Sequence, residues 1–324
     1  MPQVTEWRVP PSSQPRAEDF GYDLERALSA VVGIHAIAPS DAFTATTLGT
    51  ERAGNGVFID NGLVLTVGYL ITEAETVWIH LHDGRVLPGH ALAYDQETGF
   101  GLVQALARVN DIAPLTIGVS AKAKAGDRVV IGGAGGRTRS LAGKISARQE
   151  FAGYWEYVLD DAIFTFPSHP NWGGTGLIND SGELIGIGSL QLEREREGKN
   201  ENLNMIVPID LLKPILSDLT KFGRVDKPVR PWLGLYSTEI EDKVVVVGLA
   251  GKGPASRAEI KTGDIVVAVK GEKVSTLSAF YKKVWALGNA GVEVPMTLYR
   301  EGVTFDVRVN SSDRAKFLKA PKLH

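Results

Sequence analysis

Hydroxyl and imidazole side chains come together most densely in Ser168-His169-Pro170-Asn171-Trp172-Gly173-Gly174-Thr175. Nucleophilic acyl chemistry would be built from such groups. A hydroxyl attacks only when an imidazole in hydrogen-bond reach takes its proton and a carboxylate fixes the imidazole's tautomer. Ser168 and His169 are adjacent, and adjacent side chains usually point apart, so this stretch reads as a polar surface loop. His80 and His82 alternate on a strand-like run and face one side. A transition metal needs a third ligand there, and only Asp83 and Asp95 are in view; the plain alternative is the solvent side of a hairpin. The run Gly132-Gly133-Ala134-Gly135-Gly136 lacks the Lys-Ser/Thr of a phosphate-binding loop and reads as a turn. Cysteine is absent, which excludes disulfides, thiolate nucleophiles and Cys-based zinc sites together. No cofactor is implied.

The elements that position these groups are short and β-rich. The 324 residues are 44% hydrophobic and 23% charged with a net charge of −3, which suits two globular domains. No strong field favours nucleic acid or an anionic membrane. No stretch has the length of a membrane span. Runs such as Gly56–Ile59, Leu63–Val67, Val77–Leu81, Arg128–Ile131 and Leu184–Ile187, separated by glycine turns, predict a sandwich or barrel and not βαβ units. Residues 188–204 are dense in charge and predict a solvated loop. Residues 210–222 predict one amphipathic helix with Leu211, Leu212, Ile215 and Leu219 on one side. A second unit follows, with strands at 244–247, 265–269 and 294–299 and a helix at 277–287. The N-terminus is proline-rich and polar with no apolar leader core. Met1 as the native start predicts the cytoplasm; a removed leader would place the protein in the periplasm.

Six segments in colinear order resemble the HtrA-type family of trypsin-like serine proteases with one PDZ domain. They are residues 54–71 (GNGVFIDNGLVLTVGYLI), 80–104, 117–136, 171–187 (NWGGTGLINDSGELIGI), 205–219, and the RPWLGL and SRAEIKTGDIVVAVKGEKV runs near the end. The resemblance spans about residues 24 to 312. It implies a mostly β fold: a trypsin-like double β-barrel followed by a PDZ domain. The boundaries expected are a flexible arm at 1–22, a protease-fold domain at 23–222, a linker at 223–229, a PDZ domain at 230–312 and a basic loose tail at 313–324.

The family's histidine, aspartate and serine positions fall on Tyr69, Gly99 and Gly173. Tyr69 follows Thr66-Val67-Gly68, and Gly99 follows Thr98 ahead of Phe100-Gly101-Leu102. A one-residue slip in the last loop would put Trp172 in the serine's place. A phenol with a pKa near ~10 stays protonated at neutral pH and is no base, and glycine orients nothing. Loss of the serine or histidine costs about 10⁶-fold in turnover. The expectation is a pseudoprotease with Trp172 and Thr175 at its cleft. The competing readings are an endopeptidase with a non-standard catalytic set and a metal-binding scaffold. The PDZ resemblance implies capture of polypeptide C-termini or unfolded segments. The groove is expected at Trp232, Leu233, Gly234 and Leu235, with Arg230 supporting the anion and Tyr281 and Val284 on the opposite wall. The family also implies a homo-oligomer and an active homologue as a partner; Phe20 and Tyr22 are expected either to pack across a trimer or to dock back on their own barrel.

Overall fold

The computed structural model describes residues 7–196 and 198–319. They divide into two compact units. The first holds the chain up to Gln149, Asp161–Val225 and the chain from Lys319; the second holds Glu150–Asp160 and Asp226–Leu318.

The first unit contains two closed antiparallel barrels. Strands β1 (Val31–Ile37), β2 (Glu51–Asp60), β3 (Leu63–Val67), β4 (Thr76–His80), β5 (Val86–Tyr94) and β6 (Phe100–Ala105) close one barrel in the order β1-β2-β3-β6-β5-β4. Strand β3 is buried along its whole length, which suits the β-branched run LVLTV. Strands β7 (Arg128–Gly132), β8 (Leu141–Gly153), β9 (Tyr157–Phe166), β10 (Gly176–Ile178), β11 (Leu184–Arg196) and β12 (Lys199–Pro208) close the other, in the order β10-β11-β12-β9-β8-β7. Closure leaves no unpaired sheet edge on either barrel.

Four sequence expectations are corrected. Residues 188–204 are not a loop but the distal part of the β11–β12 hairpin, in which Leu190 pairs with Met205 and Leu192 with Leu203. One pair of the charges that suggested a loop meets across the ladder: Arg194 donates to Glu201 at 2.9 Å, directly opposite it in register. Residues 210–222 do not form one helix. A 3₁₀ turn at Ile209–Leu211 precedes helix Leu216–Phe222, because Pro214 lacks an N–H and its ring crowds the preceding turn. Leu211 is exposed, while Leu212 and Leu219 are buried. The described part of the N-terminal arm packs on its unit: Val9 is buried, its amide donates to Thr138 O at 2.8 Å, and Trp7 packs edge-on against His169, while residues 1–6 lie outside the described residues. The described part of the tail also packs on the protein. Asp313 caps a 3₁₀ turn at Arg314–Phe317, and the Phe317 ring lies 4.9 Å from that of Trp232. Residues 320–324 lie outside the described residues.

Phe20 and Tyr22 pack on their own unit. Arg128 sits 6.0 Å over the Phe20 ring, and a Cβ at Gly182 would meet the Tyr22 ring at 2.8 Å.

The second unit is a sheet in the order β13-β14-β15-β17-β18, with β13 (Leu235–Ile240) at one edge. The other strands are β14 (Lys243–Leu249), β15 (Ile265–Val269), β16 (Glu272–Lys273), β17 (Glu293–Arg300) and β18 (Val303–Asn310). Helix Leu277–Trp285 is capped by the Thr276 side chain, which accepts from the Ala279 amide, and it buries Phe280, Tyr281 and Val284. The core of this unit also takes in Val158 from the β8–β9 hairpin tip.

Among the described residues no helix is long and apolar enough to cross a membrane.

Candidate functional site

Tyr69 ends β3 on a 3₁₀ turn, Gly68–Leu70, and points to the loop that carries Gly173. Its hydroxyl donates to Ser189 O at 2.8 Å and is also hydrogen-bonded by the Trp172 side chain. Burial pushes the phenol's pKa up, and the Trp172 bond only partly offsets this. Tyr69 therefore stays a neutral donor at any physiological pH.

The same hydroxyl fills the space a side chain on Gly173 would need. A Cβ built on Gly173 would lie 2.6 Å from the Tyr69 oxygen, closer than non-bonded atoms approach. The Gly173 carbonyl accepts from the Asn55 amide at 2.7 Å and from Asn55 Nδ2 at 3.0 Å, which fixes the loop backbone. Gly99 adopts φ +82°, a left-handed conformation that strains any residue with a Cβ. Its carbonyl accepts from the Gly68 amide at 2.7 Å. Glycine at 99 and at 173 is thus matched to local geometry, and Tyr69 binds the two halves of the unit together.

His169 and Thr175, the nearby imidazole and hydroxyl, are engaged in internal hydrogen bonds. His169 is 1% exposed, with Nδ1 accepting from the Asn171 amide at 3.1 Å. Nε2 must then carry the proton and donate to Arg139 O, 2.8 Å away. Burial holds this imidazole below its usual pKa, and both nitrogens are engaged. Thr175 does not line a cleft, contrary to expectation. It is fully buried, and its hydroxyl donates to Trp172 O at 2.9 Å, making it an internal strut of the loop. Trp172 is partly buried and its side chain reaches the Tyr69 hydroxyl.

His80 does not gather a metal set with His82. The ring that faces it is His35, at 6.5 Å, and His35 bonds Glu51 at 2.9 Å. Burial and then the neighbouring His35 hold His80 below its usual pKa. Asp83 is bonded to the Arg85 guanidinium at 2.6 Å, and Asp95 accepts from the Thr98 amide and hydroxyl. Among the described residues no group of three or more His, Asp or Glu side chains converges to hold an ion.

The loop before β13 contains the other candidate site. Gly234 takes φ +74°, and a Cβ there would meet Ala250 and the Trp232 ring at about 3.2 Å, so glycine is required. This turn presents three successive amides, and a buried carboxylate accepts all of them. Glu156 Oε1 takes bonds from Gly234 at 2.7 Å, Leu235 at 3.0 Å and Leu233 at 3.2 Å, and Oε2 takes Leu233 at 3.0 Å. Sequence reasoning did not find Glu156. It lies 77 to 79 residues from its partners in a hairpin tip with no motif.

Arg230 and Arg314 are the cations of interest here. Its guanidinium stacks 4.5 Å over Trp285, and Arg314 is the positive charge that acts on Glu156. Leu233, Leu235 and Val284 are buried in the core of this unit, and Tyr281 reaches the hairpin tip through its hydroxyl.

Burial pushes the Glu156 carboxyl up to about 7, against the pull of the Leu233, Leu235 and Gly234 amides and Arg314. The other titratable groups around it are Tyr236 on β13 and Tyr281 on the helix. The bound carboxyl holds its proton more tightly than a solvated one. Its contribution is therefore complete below about pH 4.5 and fades as pH rises through 7. The thermal midpoint of wild type minus Glu156→Gln should fall over this window, by the equivalent of roughly 3 kcal/mol. A flat difference profile would show that Glu156 does not titrate there.

Comparison with known proteins agrees with this architecture. Residues 54–187 match the trypsin-like peptidase domain and residues 231–310 match the PDZ domain. A probable periplasmic serine protease do/HhoA-like of Haemophilus influenzae is 27% identical over 274 residues, covering 79% of this chain and 57% of that protein. The serine endoprotease DegS of the same organism is 26% identical, covering 70% of this chain and 67% of that protein. The chain spans a little over half the length of most of the curated relatives it matches. The structure of the HtrA-type protease AlgW with decapeptide superposes with a TM-score of 0.53 at 19% identity, covering 92% of this chain and 98% of that one. A serine endoprotease from Yersinia pestis gives 0.52 at 22% identity, covering 90% and 98%. The chain is a trypsin-like peptidase domain joined to one PDZ domain. Its homologues are the HtrA-type proteases.

Proposed function

We propose that this chain is a catalytically inactive HtrA-like protein whose retained activity is the binding of polypeptide, through C-termini or unfolded segments. The observation that carries the reading is the Tyr69 hydroxyl lying where a side chain on Gly173 would project. Nucleophile, base and orienting carboxylate are all replaced, and His169 and Thr175 are committed to internal hydrogen bonds. A chaperone-like holder, an adaptor and a regulatory subunit of an active homologue all fit this chemistry. Relatives named as periplasmic proteins support a periplasmic setting. The second reading, an endopeptidase with a non-standard catalytic set, is favoured only by the names of the relatives.

The test is turnover and binding in one preparation. Full-length protein incubated with casein should release no acid-soluble peptide above buffer. A peptide with a free C-terminus should bind the same preparation measurably, and its amidated form should not. Cleavage of casein that survives a second purification step would refute inactivity. Equal affinity for the free and amidated peptides would refute carboxylate capture.

A further inference from the structure

The β8–β9 hairpin tip, residues 150–160, makes the contacts that an extended peptide would make. A terminal carboxylate is recognised by successive amides of a tight turn, while the peptide backbone adds to an exposed sheet edge. Glu156 supplies the carboxylate to the amides of Leu233, Gly234 and Leu235. Two residues earlier the Tyr154 carbonyl accepts from the Ser237 amide of β13, the edge strand, at 2.9 Å. It also accepts from the Tyr281 hydroxyl at 3.2 Å.

Further contacts hold the tip in place. The Tyr154 ring packs edge-on against Tyr236 at 5.9 Å, and Val158 enters the core of the unit. Lys282 on the helix pairs with Glu150 at 2.5 Å and Asp160 at 2.6 Å, one at each end of the segment. Glu156 itself adopts φ +60°, a conformation a non-glycine residue keeps only when its surroundings over-determine it.

We propose that Glu156 is an internal ligand of the Leu233–Leu235 amide loop, and that a peptide C-terminus binds this unit only by displacing it. The inference rests on the peptide-binding reading above and adds its regulation. The partner is a chain ending in a free carboxylate. The competing state is the protein's own hairpin, so apparent affinity is the intrinsic affinity multiplied by the fraction of molecules in which the loop is vacant.

The experiment uses full-length wild type, Glu156→Ala and Lys282→Ala with fluorescent peptides ending in valine, as free acid and as amide. Hydrogen exchange at Leu233–Leu235 is followed in parallel. Glu156→Ala should bind the free acid about tenfold more tightly than wild type or better, with no gain for the amide. Lys282→Ala leaves the loop intact and should fall between the two. The three amides should be protected in wild type, exchange quickly in Glu156→Ala, and regain protection with the free acid. Equal affinity in wild type and Glu156→Ala would overturn the internal-ligand proposal and leave peptide binding standing. Fast exchange in Glu156→Ala with no binding of either peptide by any variant would overturn both. Amides still protected in Glu156→Ala without peptide would show that Glu156 is not what occupies them.

Discussion

Arg52→Met should lower the stability of the first unit by about 3–5 kcal/mol, with a fall in thermal midpoint on the order of 10 °C. Arg52 is 5% exposed and spends its whole guanidinium on internal acceptors. Nε donates to Gly49 O at 3.0 Å, Nη1 to Tyr69 O at 3.0 Å and Thr72 O at 2.7 Å, and Nη2 to Thr44 Oγ1 at 2.8 Å. That hydroxyl donates onward to Glu73 Oε2 at 2.6 Å. Burial lowers the Arg52 pKa, partly restored by Glu73, but a guanidinium keeps its charge in any fold. Methionine can fill the stem's volume and satisfy none of these acceptors, and it leaves Glu73 buried without its cation. Burial alone would raise the Glu73 carboxyl. Bonds from the Thr44 hydroxyl and from the Lys319, Thr44 and Phe43 amides outweigh this and hold it below the ordinary range. Its contribution is therefore present above the usual carboxylate pKa and is lost as pH falls through the lowered one. Urea midpoints of wild type and Arg52→Met at pH 7 check the first claim. A difference under about 1 kcal/mol would mean that water replaces the guanidinium.

The second large effect concerns restoration of the nucleophile. Gly173→Ser should yield no protease and should destabilise the first unit by about 1–3 kcal/mol, because the added atoms overlap the Tyr69 oxygen. Tyr69→Phe alone should cost about 1 kcal/mol through the lost bond to Ser189 O. The double variant should be less unstable than the sum of the two, since removing the hydroxyl makes room for the serine. The double-mutant cycle reads this coupling directly. Strict additivity would show that the loop moves aside and that Tyr69 does not occupy the site. Aspartate at Gly99 would add strain at φ +82°, so reintroducing the three catalytic residue types does not recreate a triad.

Much of the frame was legible because alternation and glycine turns report barrel strands faithfully. Leu63–Val67 and Ile265–Val269 fall where their β-branched runs put them. Residues 188–204 were not legible as a hairpin, because their charge density reads as a solvated loop and only Leu190, Leu192 and Leu203 mark an apolar side. Sequence order also singled out Tyr69, Gly99 and Gly173 as the positions to inspect. It could not say that Tyr69 fills the space over Gly173, which is a contact between the two barrels. Glu156 was hidden for a similar reason. A glutamate in a hairpin tip looks solvated until the fold brings it to three amides far along the chain. The stacking of the Arg230 guanidinium on Trp285 was not legible either, because proximity in sequence to the amide loop does not fix a side chain's direction.

The central claim is that the space of the nucleophile is filled and no other residue is activated. Incubation of the full-length protein with a fluorophosphonate, followed by intact mass, tests it most directly. The account predicts an unchanged mass at every pH between 6 and 9. A stoichiometric phosphonyl adduct on any serine or threonine of the first unit would contradict it.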